Sequence, residues 1–300
     1  MTITLHPRGP FSLTAAATYV EGFPGTHADR PPAALRFAWA VDGDWRTVQA
    51  TLRQRNETIH AELSGRLAAQ LAHLAARDLE QMLCLDIDGT GFAALGEHDR
   101  VVRTLQQRFP GLRPVLFYTP YEAAAWTIIS QRIRMAQAAT IKAGLGDELG
   151  EHGAFPAPAR LAQLTSPRRG LTDRKVHQLR GLAIAAQNGA VTRERLRAMS
   201  YQDGMKHLQE LPGIGPFSAE LILIRGVGHP DALPDHDTRL DEAIRRAYDT
   251  TDSAAIRSIT ESWRPYRAWV ALLLRAWREA ETGEITHGRR GTTQLKPVDA

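Results

Sequence analysis

Between residues 35 and 63 apolar and polar positions alternate in short runs, the period of a half-buried strand. Leu35–Val41 (LRFAWAV), Arg46–Leu52 and Thr58–Leu63 (TIHAEL) are the predicted strands, and Gly43-Asp44 between the first two marks a hairpin turn. From Ser64 to Leu83 the period lengthens. Leu67, Leu71, Leu74, Leu79 and Met82 recur at helical spacing, with Ser64 as the candidate N-cap. Residues 1–112 are therefore expected to form an α+β domain, a small antiparallel sheet backed by helix. Beyond Phe109-Pro110-Gly111 the pattern becomes alanine-rich and helical. Helices are expected over Thr119–Gly144, Pro158–Gln163, Asp173–Asn188, Arg193–Ala198, Tyr201–Glu210, Pro216–Gly226, Asp237–Tyr248 and Ile256–Glu281. Residues 113–282 thus form a mainly helical domain, and residues 283–300 a polar tail that lacks an apolar face and is expected to be flexible.

Composition narrows the chemistry. The chain has 300 residues, 43% apolar and 23% charged, ordinary for a globular protein. Its single cysteine, Cys84, rules out an internal disulfide, a cysteine-ligated iron–sulfur cluster and a CxxC zinc site. No apolar run approaches the roughly 18 residues that a membrane span needs. Met1–Phe11 carries His6, Pro7, Arg8 and Pro10 where a signal peptide would need its apolar stretch, so a cytoplasmic protein is expected. The net charge is only +4, but charge acts locally. From Arg160 to Arg197 stand Arg160, Arg168, Arg169, Arg174, Lys175, Arg180, Arg193, Arg195 and Arg197, opposed only by Asp173 and Glu194. Such a stripe suits a polyanion; a solvated helix face is the alternative.

The most informative stretch is Leu208–Asp237, LQELPGIGPFSAELILIRGVGHPDALPDHD. Pro212-Gly213-Ile214-Gly215 cannot continue a helix, and Pro216 is well placed to open the next one. The glycines allow close approach of the backbone, and helix N-terminal amides point outward with partial positive charge, so this bend is a candidate phosphate cradle. Ile214 is expected to pin it to the core. Downstream stand two carboxylates, Asp235 and Asp237, either of which could cap a helix.

The string L-P-G-I-G-x-x-S-A, with an aspartate 22 residues after its second glycine, resembles the helix-hairpin-helix DNA glycosylase superfamily, most closely its bacterial inducible 3-methyladenine branch (type II). Pro120-Tyr121-Glu122 through Gln131, Asp173-Arg174-Lys175 to Leu182-Ala183, Trp263-Arg264-Pro265-Tyr266-Arg267, Ala76-Arg77-Asp78-Leu79 and Phe92 resemble other elements of that branch. The resemblance implies a two-lobed helical domain and removal of an alkylated base, flipped out of double-stranded DNA, by hydrolysis of its N-glycosidic bond. It implies Asp237 as the catalytic acid and Gly213, Ile214 and Gly215 as the phosphate-binding hairpin. Bifunctional members carry a nucleophilic lysine where this chain has Phe217, so a monofunctional enzyme that leaves an abasic site is expected.

For the base pocket the resemblance points to Phe217 and Arg275, with Tyr121, Trp126, Trp269 and Trp277 as further aromatic candidates. Leu221, Thr238 and Arg275 stand where that branch has aromatic residues, and Arg275 would repel a cationic purine. Arg132, or Ile133 beside it, is the candidate wedge that fills the vacated stack. No cofactor is required on this reading. A structural Na+ or K+ would be held by the main-chain carbonyls of Gln209, Leu211 and Ile214, and the protein is expected to act as a monomer. Two rivals remain. One is a noncatalytic or altered-specificity DNA-binding protein, suggested by the replaced aromatics. The other is a phosphatase using Asp86 and Asp88, since Asp86-Ile87-Asp88-Gly89-Thr90 resembles the haloacid-dehalogenase nucleophile motif.

Overall fold

The three strands legible from alternation are present, and a fourth joins them. In a computed structural model, which describes residues 1–21, 34–167, 170–235, 237–283 and 298, β1 (Thr2–Leu5), β2 (Leu35–Ala40), β3 (Thr47–Arg55) and β4 (Thr58–Leu63) form one antiparallel sheet. The strand order is β1-β4-β3-β2. Register follows burial: Leu35 faces Leu52 and Trp39 faces Val48, so each strand turns its apolar side to one core. β1 runs along the free edge of β4, from Thr2 opposite Glu62 to Leu5 opposite Ile59.

The helices are α1 (Leu13–Glu21), α2 (Ala69–Met82), α3 (Thr90–His98), α4 (Arg100–Arg108), α5 (Pro120–Ser130), α6 (Met135–Leu149), α7 (Pro158–Leu161), α8 (Asp173–Gln187), α9 (Arg193–Arg197), α10 (Tyr201–Gln209), α11 (Pro216–Leu221), α12 (Thr238–Ala247), α13 (Ser253–Ser262) and α14 (Arg267–Thr282). Several expectations are corrected. Ser64 does not cap α2: its amide still bonds to Gln49 across the sheet, Gly65 turns the chain at φ +77°, and the helix starts at Ala69. The helix expected over 119–144 is two, because Arg132 takes a left-handed conformation, φ +56°. The helix expected over 256–281 is also two, interrupted where Pro265 removes a donor and restricts its predecessor. The hairpin's second helix passes from α11 into a π-helical turn, Ile222–Val227, ended by Gly228 at φ +81°.

Three apolar cores form. One lies under the sheet against α2, one joins α5, α6, α8 and the hairpin, and the third packs Phe92, Val102 and Leu105 against α12 and α14. That third core joins segments on both sides of residue 112, so the expected domain boundary does not divide it. Arg193 ties sheet to helices. It is buried; its amide donates to Asp42 Oδ2 at 2.7 Å, and its guanidinium donates to the carbonyls of Phe117, Tyr118 and Gly226 at 3.0–3.1 Å. Asp78 completes the link by accepting from Trp39 Nε1 and the Asp42 amide. Burial pushes the Asp42 carboxyl up to about 6, and raises Asp78 as well. Among the described residues no helix is long and apolar enough to cross a membrane. The expected tail falls, apart from Val298, outside the described residues beyond Gly283.

Candidate active site and nucleic-acid interface

Between α10 and α11 the chain reverses over six residues. The Ile214 amide donates to the Leu211 carbonyl at 3.1 Å, and the Ile214 side chain is buried in the central core, which pins the bend. Gly213 sits at φ +86°, and a Cβ there would lie 2.5 Å from Gln178 Cδ, so both conformation and space demand glycine. Gly215 differs from expectation. At φ −95° it is ordinary backbone, and a Cβ would meet nothing within 4 Å. Gly215 opens α11 without any side-chain cap bond, so the first-turn amides lack a side-chain acceptor.

The bend is fastened to the α5–α6 turn. Gln131 Nε2 donates to the Gly213 carbonyl at 2.8 Å. Lys175 Nζ, on α8, donates to the carbonyls of Ile129 and Gln131 at 2.7 and 2.9 Å. Burial lowers the pKa of that ammonium. These bonds present Arg132 at an exposed turn tip, whereas Ile133 is half-buried and packs on the central core.

Asp237 caps α12: its Oδ1 accepts from the amides of Arg239 and Leu240, both at 3.1 Å. Its Oδ2 is paired with the guanidinium of Arg275 on α14. The acid side chain is 16% exposed, so it reaches solvent, although with a cationic neighbour. The loop leading to it hangs from the hairpin helix, where buried Glu220 accepts the Asp235 amide through Oε1 at 2.9 Å. Asp235 itself is exposed and is not the cap of α12. The helix amides thus hold Oδ1 and leave Oδ2 to Arg275.

Other expected site residues lie elsewhere. Tyr121 and Trp126 are 1% and 4% exposed, in the central core, and the Tyr121 hydroxyl donates to the Pro156 carbonyl. They are packing residues rather than pocket walls. Trp269 and Trp277 are likewise buried in the third core. Phe217 is 63% exposed on the first turn of α11, an aromatic face standing open beside the bend. The basic stripe is thinner than expected. Lys175, Arg193 and Arg197 are spent on internal partners, Arg197 on Asp86 and the Val227 carbonyl. Arg160, Arg174, Arg180 and Arg195 are exposed, while Arg168 and Arg169 lie outside the described residues.

The phosphatase motif also resolves into structure. Asp86 pairs with Arg197, and Asp88 accepts from the amide and hydroxyl of Thr90 at 3.0 and 2.7 Å, opening α3. The segment follows a helix, not a parallel strand, so nothing there assembles the expected phosphatase centre. Among the described residues no group of three or more His, Cys, Asp or Glu side chains could hold a metal ion.

The 3-methyladenine DNA-glycosylase from Archaeoglobus fulgidus superposes on 92% of this chain and 97% of its own, with a TM-score of 0.69 at 19% identity. The fold is that of the helix-hairpin-helix DNA glycosylases. A DNA-3-methyladenine glycosylase of Schizosaccharomyces pombe, solved with abasic DNA, shares this glycosylase fold over 62% of the chain at a TM-score of 0.51 and 22% identity. In sequence the chain is homologous to the DNA-3-methyladenine glycosylase of Bacillus subtilis, 29% identical over 196 residues, and to DNA-3-methyladenine glycosylase 2 of Escherichia coli, 31% identical over 180. Those alignments cover 62% and 56% of this chain, and 65% and 60% of the relatives' own lengths. The chain thus spans less than two thirds of either relative. No family model matches the chain.

Proposed function

We propose that this chain is a monofunctional DNA glycosylase that hydrolyses the N-glycosidic bond of an alkylated base and leaves an abasic site. The observation that carries the reading is the anchored acid. Asp237 Oδ1 is fixed by two helix amides, and its loop is tethered through Glu220 to a hairpin whose open first-turn amides suit a phosphate. The names of the relatives point the same way.

DNA would lie across the hairpin and the exposed Arg132 turn, with the exposed cations Arg174 and Arg180 on α8 adding to the footprint. Extruding the base costs a few kcal/mol, offset by backbone contacts and by a side chain filling the gap. Arg132 is the better placed of the two wedge candidates, since Ile133 is half-buried. Breaking the bond leaves positive charge on the sugar ring, which the Asp237 carboxylate stabilises while it orients water. Phe217 offers no amine for a Schiff base.

A structural monovalent cation, where one binds, would be held by the neutral main-chain carbonyls of Gln209, Leu211 and Ile214; the Leu211 carbonyl also accepts the Ile214 amide. It would supply positive charge near a bound phosphate. The noncatalytic reading is not favoured, because acid, hairpin and wedge turn are all retained and joined.

After incubation with methylated duplex DNA, the strand is expected to stay full length until alkali breaks it at the damaged positions. Borohydride is expected to trap no protein–DNA adduct. Strand cleavage without alkali, or a trapped adduct, would contradict hydrolysis.

A further inference from the structure

Arg275 stands midway along α14, about a third exposed, with its guanidinium on the oxygen of Asp237 that the helix amides do not use. A charge in direct contact with the acid that stabilises the sugar is also close to the bond that breaks. It therefore acts differently on the two kinds of damaged base.

An uncharged base departs with the electron pair of its C1′–N bond and is briefly an anion. A guanidinium N–H can donate a hydrogen bond to that developing charge. Arg cannot lose its proton at neutral pH, so the base takes its final proton from solvent. The water oxygen bonds to C1′, and its proton passes through Asp237 to solvent. A purine methylated at N3 or N7 carries a positive charge and departs neutral. It gains nothing from the donor and is repelled while being seated. Both effects have the same sign.

We infer that Arg275 is a specificity-determining residue that selects uncharged damaged bases over cationic ones. This rests on the glycosylase reading above, and it names the substrate class of that site. It also gives a physical role to a residue whose resemblance-based place was merely a pocket wall.

The test uses single-turnover base release from two duplexes of one sequence. One carries a single 7-methylguanine, which is cationic, and the other a single 1,N6-ethenoadenine, which is uncharged. Wild type is expected to favour the uncharged lesion. Arg275→Met is expected to slow release of that lesion and shift the ratio of the two rates toward 7-methylguanine by about tenfold or more. Arg275→Lys, which keeps the charge, is expected to restore most of the wild-type ratio. Because the ratio is read within one protein, a general loss of folded enzyme does not move it. A wild-type preference for 7-methylguanine, or a ratio unchanged in Arg275→Met, would overturn the inference while leaving the glycosylase reading intact. Release from neither duplex, in a protein that binds both, would overturn both.

Discussion

Asp237→Asn is expected to reduce base release at least about a hundredfold, the range found when one group that stabilises developing charge is lost. The substitution separates the acid's two roles. Asparagine keeps an oxygen for the amides of Arg239 and Leu240, so α12 still starts at Thr238. It removes the carboxylate's negative charge and with it the ion pair with Arg275. The hairpin, the Gln131 tether and the exposed Arg132 turn are untouched, so duplex binding should change by no more than a few-fold. Gel-shift affinity measured beside single-turnover base release checks both halves. Wild-type release by the variant would remove Asp237 from the mechanism.

Gly213→Ala should be the most damaging change in the hairpin. A left-handed residue other than glycine costs about 1–2 kcal/mol. Here the added carbon would also lie 2.5 Å from Gln178 Cδ, on a side chain that is itself buried. Relief would shift the Gly213 carbonyl, which holds Gln131 and hence the turn carrying Arg132. A combined loss of about 2–4 kcal/mol in stability is expected from backbone strain and overpacking, together with at least tenfold weaker DNA binding. Gly215→Ala supplies the stability control: its backbone is ordinary and the new methyl meets nothing within 4 Å of the chain, so its unfolding free energy should stay near wild type. Urea unfolding of the pair distinguishes the positions, and duplex titration of Gly213→Ala checks its binding. Identical unfolding of the two variants would show that the bend does not depend on left-handed geometry.

Much of the architecture was legible because the patterns were local. Alternation over Leu35–Ala40 and Thr58–Leu63 marked strands whose one face is buried, and Pro216 marked the start of α11. β1 escaped because a four-residue edge strand offers too short a pattern, and its pairing with β4 is made far along the chain. The break at Arg132 escaped because arginine carries no turn signature; the conformation is held by bonds from Gln131 and Lys175 to distant carbonyls. The same limit governs the site. Asp237 and Gly213 stand in a recognisable string, whereas exposure and charge pairing depend on which helices meet. Trp126 and Tyr121 look like pocket aromatics in sequence and are core in three dimensions. Arg193 and Lys175 read as part of a basic stripe, yet both are spent on internal carbonyls. No sequence spacing shows that Arg275 and Asp237 touch, since they come from different helices and meet only when α12 packs on α14. Glu220, unremarkable on a helix, could be found only through the Asp235 amide it holds.

Two otherwise identical duplexes test whether Asp237 stabilises a cationic sugar. One contains a protonated pyrrolidine in place of the deoxyribose, imitating the cationic sugar, and the other a neutral tetrahydrofuran. Wild type should bind the cationic duplex at least about a hundredfold more tightly, and Asp237→Asn should lose most of that preference. Equal binding of the two duplexes by wild type, or the same preference in both proteins, would contradict a catalytic carboxylate at Asp237.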